Sequence, residues 1–302
     1  MSAPAKHALG FLKHAVLATL ALLMLFPFLW MLSTAAKTDR ETSEVPPRLF
    51  PSVSAENDGI WKGLSHRLDV TAGNFAAVWR KAPFGRYLLN TALVAVLVTL
   101  GTLATSILAG YAFGCLQFPA KRFLFILFLG TLMIPFEVTL LPNFLIVKQL
   151  KLLLGQEGLR TWWLPEFTAL ILPWVAGAFG VFLMRQHFAG LPRDYLDAAR
   201  IDGCGTFAFL RHVGVPLTAP AVVTVAVFAF LGSWNAFTWP LLVTDDQRYY
   251  LVQIGLRSFL DSEVARYNFM MAAATITVLP TIILYLCAQR VFVQGVSGGI
   301  KE

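Results

Sequence analysis

The chain is 302 residues long, 57% hydrophobic and only 14% charged, with a mean hydropathy of +0.66. A composition this apolar excludes an ordinary soluble globular domain and makes the chain an integral membrane protein. The net charge of +7 would suit a nucleic-acid partner in a polar protein, but here the cations belong at lipid head groups, and no nucleic acid is expected.

Crossing a hydrocarbon core takes about 20 apolar residues. Six segments reach that length, at 9–33, 87–113, 123–147, 162–184, 217–243 and 268–292, within one transmembrane domain covering 1–302. Their apolar runs are continuous and do not alternate over stretches of about 10 residues, which predicts an all-α membrane protein and not a barrel. The first run follows Lys6 and Lys13 and ends in Ser33, Thr34, Ala35 and Ala36, a sequence a signal peptidase could cut. Signal h-regions span about 7–15 residues, whereas this run extends over 15–32 and includes Phe26, Phe28 and Trp30, so a retained span is expected. A long loop of mixed charge follows at 34–86.

Gly101, Ala104 and Gly110 in the second span, and Ala272, Ala273 and Ala274 in the last, are small enough to let helix backbones approach. Pro27, Pro135, Pro142, Pro173 and Pro280 fall inside the apolar runs and predict kinks rather than breaks. Glu137, in the third span, is an ionisable side chain at membrane depth, where such groups face a cavity or a partner; it either lines or gates a path between the helices, or lies near the outer interface, or hydrogen-bonds a backbone group freed by Pro135. Near the end of the fifth span, Trp234, Asn235 and Trp239 set an amide beside aromatic faces. That chemistry suits sugar hydroxyls and ring C–H surfaces, although tryptophans also form interfacial belts.

Between the fourth and fifth spans lies a polar interruption, PRDYLDAARIDGCGTFAFLRHVGVP at 192–216. Pro192 suits a helix start, RDYLDAARI continues it, and Gly203 supplies the left-handed residue that turns one helix into another. Tyr195, Ala198, Ala199 and Asp202 fall three and four apart and share a face that could seat in a cleft. Asp197 could simply pair with Arg193 or Arg200 on a solvated helix.

The chain carries no phosphate loop, no H-E-x-x-H and no Ser/His/Asp constellation, so no enzymatic activity and no cofactor of its own are expected. His7, His14, His66, His187 and His212 are scattered at span ends and in loops. Cys115, Cys204 and Cys287 are odd in number and lack metal-ligand spacing. Charge discriminates orientation only weakly: with the amino terminus inside, 10 of the 24 Lys and Arg are cytoplasmic, and Lys121 with Arg122 favours a cytoplasmic second loop.

Asp197-Ala198-Ala199, then Gly203, then Val213, Val215 and Pro216 resemble the EAA loop of binding-protein-dependent ABC importer permeases, with Asp for Glu and Val for Ile and Leu. The runs AARIDG, GSWNAFTWPL (232–241), QRVFVQGVSGG (289–299), PPRLFP (46–51) and MIPFEVTLLP (133–142) resemble the carbohydrate-uptake branch, in particular the second, six-span permease of maltose-type transporters. A stretch at 52–71 is longer than usual for that subunit. The resemblance implies a MetI-like fold with a cytoplasmic coupling helix, both termini cytoplasmic and the 34–86 loop external, in a bacterial-type inner membrane. Its implied partners are a second permease, two ATP-binding subunits that carry ATP-Mg, and an extracytoplasmic binding protein that delivers a carbohydrate. Tyr195, Asp197, Ala198, Ala199, Asp202, Gly203 and Pro216 are then the ATPase-coupling residues. A glycerol phosphate is the alternative solute, and a secondary transporter the alternative class, although the latter would call for internal repeats and an ion site.

Overall fold

Apolar chain in lipid must satisfy its own backbone hydrogen bonds, and no strand occurs among the residues the computed structural model describes, 3–52, 60–154, 164–259 and 266–297. In chain order the helices are α1 (Ala3–Ala35), α2 (Asp39–Thr42), α3 (Ile60–Lys81), α4 (Phe84–Cys115), α5 (Lys121–Gly130), α6 (Phe136–Leu154), α7 (Leu164–Ile171) and α8 (Ala178–Ala189). They continue with α9 (Arg193–Ile201), α10 (Thr206–Phe209), α11 (Val215–Leu217), α12 (Ala219–Trp234), α13 (Thr238–Val243), α14 (Val252–Arg257) and α15 (Tyr267–Ser297). Residues 162 and 163 of the fourth expected span, 53–59 of the extended loop and 298–299 of the last quoted run lie outside the described residues.

Among the described residues, three helices are long and apolar enough to cross a membrane unaided, at Leu12–Ala35, Phe84–Cys115 and Tyr267–Gln289. Three more segments reach that length only as bent pairs: Lys121–Met133 with Phe136–Leu153 at 100°, Glu166–Trp174 with Ala178–Ala189 at 42°, and Thr206–Leu217 with Ala219–Trp234 at 86°. Counting each pair as one span gives six.

Proline explains the first bend, and it corrects the expectation of kinks alone. Pro27, Pro142 and Pro280 do sit inside continuous helices. At Pro135, however, Ile134 is extended (φ −84°, ψ 114°), the conformation a residue before proline favours, and the helix restarts only at Phe136. Pro173 falls in a 3-10 turn at Leu172–Trp174, after which extended Gly177 starts α8. The fifth expected span is likewise interrupted: α12 ends at Trp234 and α13 begins at Thr238.

The chain forms two compact units, 1–85 with 255–279 and 86–254 with 280–302. In the first, a buried polar node joins the end of α1, the 36–52 loop, α3 and the start of α15. The Glu41 carboxylate accepts from Thr38 N at 2.8 Å, Ser52 N at 2.8 Å, the Ser52 hydroxyl, and both Arg67 terminal nitrogens at 2.9 and 3.0 Å. Asn74 donates to Ala35 O and Lys37 O, and Asn268 donates to Asn74 Oδ1 at 3.2 Å. Burial opposes the Glu41 charge, but these donors from Arg67, Ser52 and Thr38 outweigh it and hold its carboxyl well below the usual range. Ala272 and Ala273 are fully buried, as close helix approach requires.

In the second unit, α4 lies directly on α8. A Cβ at Gly110 would come within 2.5 Å of Met184 Cβ and 3.0 Å of the Arg185 backbone N, and one at Gly114 within 2.8 Å of Phe188 Cβ. Ala104, in contrast, is exposed.

Candidate functional site

The 192–216 segment is an elbow raised on α8. Its first arm, α9, ends in a closed cap: Gly203 takes φ +72°, Gly203 N donates to Arg200 O at 3.1 Å, and Cys204 N donates to Ala199 O at 2.8 Å. This pair of bonds is a Schellman motif, and the left-handed φ is why glycine stands at 203. The second arm runs from α10 through a π turn at Leu210–Gly214, a departure from α-geometry common at functional sites, and α11 carries Pro216 before the chain turns into α12.

The helical face read from the sequence divides in two. Ala199, only 8% exposed, turns inward with the half-buried Leu196, packing against Phe209, Leu210 and Phe188. Tyr195, Asp197, Ala198, Asp202 and Pro216 face out. Asp197 meets Arg200 at 3.3 Å with both side chains open to water, a contact worth about 0.3–0.5 kcal/mol, so the carboxylate is available to a stronger partner. Ile201 (86% exposed) and Phe207 (77% exposed) add apolar surface to this otherwise polar loop, the mark of a contact face.

Sequence reasoning missed the root of the elbow. Phe209 on the second arm packs its ring 5.8 Å from that of Tyr111 on α4, which meets Phe188 at the end of α8 edge-on at 5.9 Å. Gly214 closes over the same ring, leaving a Cβ there only 3.1 Å from Phe188 Cε1. Displacing the elbow therefore moves three rings and two helices with it. Only the apolar spacing of Phe207, Phe209 and Leu210 hinted at this anchor.

Deeper in the second unit, a cavity of about 400 Å³ opens where the α7–α8 and α12–α13 breaks face each other. Phe136, Trp174, Phe179, Phe228, Phe237 and Trp239 give it aromatic walls, and Thr102, Ser233 and Thr238 contribute hydroxyl-bearing residues. Of the four candidate path residues only Trp239 lines it; its indole N–H donates to Ala169 O at 3.0 Å, fixing the ring. Trp234 is buried against Phe230, stacked at 5.5 Å. Asn235 is exposed and donates its side-chain amide to Leu231 O at the end of α12. Glu137 is exposed in the first turn of α6, where a helix terminus favours a carboxylate. Neither Asn235 nor Glu137 reaches this cavity.

A second acid within an expected span escaped the sequence reading. Glu166, in the first turn of α7, binds Lys151 of α6 at 2.8 Å, and Lys151 also donates to Val243 O at 2.9 Å and lies 3.6 Å from Asp245. The same rule that singled out Glu137 would have found it. Among the described residues, no group of three His, Cys, Asp or Glu could hold a metal ion.

Residues 70–298 match the family described as the binding-protein-dependent transport system inner membrane component. The chain belongs to this family. The permease is 32% identical over 298 residues, 98% of its own length and 99% of the relative's, to the sn-glycerol-3-phosphate transport system permease protein UgpE of Yersinia enterocolitica. It is 33% identical over 217 residues, 72% of its length and 73% of the relative's, to the arabinooligosaccharides transport system permease protein AraQ of Bacillus subtilis. Its fold matches, at a TM-score of 0.74 and 19% identity over 96% of this chain and 98% of the other, a chain from a bacterial ABC transporter involved in the import of the acidic polysaccharide alginate. The permease is thus an all-helical, MetI-like, multi-pass membrane component of ABC importers, not an enzyme and not a secondary transporter.

Proposed function

We propose that the permease, paired with a second permease subunit, forms the membrane path of an ATP-driven importer for a carbohydrate, and that its 192–216 elbow is the coupling element seated in a cleft of an ATPase subunit. The observation that carries this reading is the elbow itself. It is a short helix locked by a left-handed glycine cap, bare on its outer face, and rooted through Phe209, Tyr111 and Phe188 in two helices of the bundle. A transmitter of force needs a stiff joint and a differential contact in its two states; the capped, ring-anchored elbow supplies the joint, and its bare outer face is the surface for the contact.

In this reading the elbow and both termini are cytoplasmic and the 34–52 loop with α3 is external. ATP-Mg binds to the ATPase subunits, whose closure drives the elbows together. The bent pair α7–α8 and the interrupted segment α12–α13 re-aim to open the path outward, and hydrolysis returns it inward. An external binding protein delivers the solute. Asp197 supplies a charge-assisted contact to a basic group of the ATPase, Tyr195, Ala198 and Asp202 complete the docking face, and Ala199 and Gly203 hold its shape.

The aromatic cavity supports a neutral carbohydrate. None of its lining residues is cationic, and a phosphate there would lose its hydration with no compensating charge. The relatives named for sn-glycerol 3-phosphate, which match along almost the whole chain, keep that solute as the second reading. The test is co-purification with the ATPase subunit and solute-dependent uptake in proteoliposomes for Ala198→Trp. This substitution is preferable to one at Ala199, which would also disrupt the core. Loss of both with normal membrane insertion is expected; intact ATPase binding would overturn the docking assignment.

A further inference from the structure

Residues 60–71 of the extended stretch at 52–71 belong to neither the aromatic cavity nor the elbow; they form the first half of α3. This helix has three flanks of different chemistry, about 120° apart at 3.6 residues per turn. The first faces the protein: Arg67 donates to Ala36 O at 3.2 Å and to the Glu41 carboxylate, Asn74 donates to Ala35 O and Lys37 O, both at 2.8 Å, and Val78 is fully buried. Leu64, Leu68, Ala72 and Trp79 form the second, which is apolar and exposed. His66, Asp69 and Arg80 form the third, which is polar and exposed.

The contacts of the first flank fix the depth of the helix. As membrane spans, α1 ends at Ala35 and α15 begins at Tyr267. Over about 21 Å of helix, from Arg67 to Lys81, α3 holds on to residues 35–41 and to Asn268 and Phe269. Asn268 donates to Asn74 Oδ1 at 3.2 Å, and Lys81 Nζ stands 4.2 Å from the centre of the Phe269 ring. Trp79 meets Phe84, where the second span starts, edge-on at 6.0 Å. The helix therefore lies across the ends of these spans and neither runs along them nor leaves them.

We propose that α3 lies in the headgroup layer of the lipid surface at which α1 and α15 end, with Leu64, Leu68, Ala72 and Trp79 at the acyl boundary. In water the apolar flank would stay uncovered, and among packed spans the polar flank would lose its hydration; only an interface between the two media suits both. The apolar flank continues the bare surface of α1, whose side chains are exposed as far as Leu32, one turn before Ala35. Tryptophan favours this depth, and the exposed Arg80 and Lys81 at the end of α3 suit headgroup phosphates. The inference is independent of the solute and of which face is cytoplasmic.

The test uses the assembled importer in phospholipid nanodiscs, open on both faces, without the binding protein. In one arm the wild type is irradiated with a phospholipid carrying a diazirine beside the acyl carbonyl, and adducts are located by mass spectrometry. Adducts on Leu64, Leu68 and Trp79 are expected at least tenfold above those on Asp69. In the other arm Leu68→Cys and Asp69→Cys are labelled with a sulfonated maleimide and read at the peptide level, apart from the native cysteines. Leu68 is 62% exposed in the permease itself and Asp69 is exposed as well, so without a cover both variants label alike. Under lipid, Leu68→Cys should label at least tenfold more slowly than Asp69→Cys, each rate taken relative to its unfolded chain. Absent or uniform lipid adducts overturn the proposal, and so do equal labelling rates. Slow labelling of Leu68→Cys without lipid adducts assigns the flank to the second permease, and slowing that needs added binding protein assigns it to that protein; either overturns the lipid contact. Where the cysteine variants fail to accumulate, the adducts on the wild type decide alone.

Discussion

Replacing Gly203 by valine isolates the elbow's joint from the rest of the molecule. A Cβ at 203 meets nothing within 4 Å, so the substitution adds no clash and acts only through the backbone. At φ +72° an L-residue pays about 1–2 kcal/mol, and β-branching places valine at the upper end. If the chain relaxes away from that φ, the Gly203 N and Cys204 N bonds to Arg200 O and Ala199 O are lost, each worth about 0.5–1.5 kcal/mol. The chain takes the cheaper of these two routes, so the closed elbow loses about 2 kcal/mol, a factor of roughly 30 in its population. Only Leu196 and Ala199 tie α9 to the core cluster, so little else resists its fraying.

Hydrogen exchange of α9 amides should accelerate accordingly, with α4 and α8 unchanged, and proteoliposome uptake should fall at least tenfold while the protein inserts normally. Gly205→Ala is the matched control: Gly205 has φ −71° and ψ 166°, extended backbone open to any residue, with nothing within 4 Å of its Cβ. It should leave both readouts unchanged. Wild-type protection of α9 together with wild-type uptake in Gly203→Val would refute the idea that this cap sets the stiffness of the elbow.

Gly110→Val should abolish accumulation of folded permease, because its Cβ would meet Met184 Cβ and the Arg185 backbone on α8, which cannot yield, at a cost of about 3 kcal/mol or more; Gly130→Ala, with open space around it, should accumulate normally on a membrane immunoblot. Glu137→Gln and Asn235→Ala, whose side chains lie off the aromatic cavity, should keep uptake within about twofold, whereas Ala229→Trp should fill the cavity and block it. Trp239→Phe should cost about 1 kcal/mol through the lost bond to Ala169 O, read as a lower thermal midpoint of the purified complex. The Glu41 carboxyl is depressed in the folded state, so the stability it contributes is fully present above its unfolded pKa of about 4.3 and disappears only as pH falls through its lower folded value. Arg67→Met removes the two charge-assisted donors to it and should bring acid opening of the polar node around Glu41, followed by limited proteolysis, up to about pH 4–5; unchanged acid resistance would refute the role of the pair.

What the sequence could disclose was whatever depends on local chemistry. The apolar lengths of the spans, the left-handed demand at Gly203 and the small residues of α4 each follow from a residue and its immediate neighbours, and each has a physical signature in the string. The breaks are harder because one residue type serves both outcomes. Pro142 and Pro280 lie within unbroken helices while Pro135 ends one, and the difference is whether Ile134 can relax to extended backbone. Facing is harder still. Ala198 and Ala199 are chemically alike and adjacent, yet one is exposed and the other core, a choice made by where Leu196, Phe209 and Phe188 sit and not by any property of alanine.

The same reasoning explains why Glu137 drew attention and Glu166 did not. Both acids lie in apolar stretches close to a proline, and both fall in the first turn of a helix. Glu137 is left exposed on α6, while Glu166 faces Lys151 of α6, fifteen positions earlier, at 2.8 Å. An ion pair between two helices is invisible to helical spacing, which relates residues only three or four apart. An acid inside a membrane segment therefore marks a site only once its partner is known. Here that partner is Lys151, which binds one oxygen of Glu166 at 2.8 Å and also donates to Val243 O at 2.9 Å, so this acid is part of a tie between α6, α7 and α13, where nothing comparable holds Glu137 among the described residues.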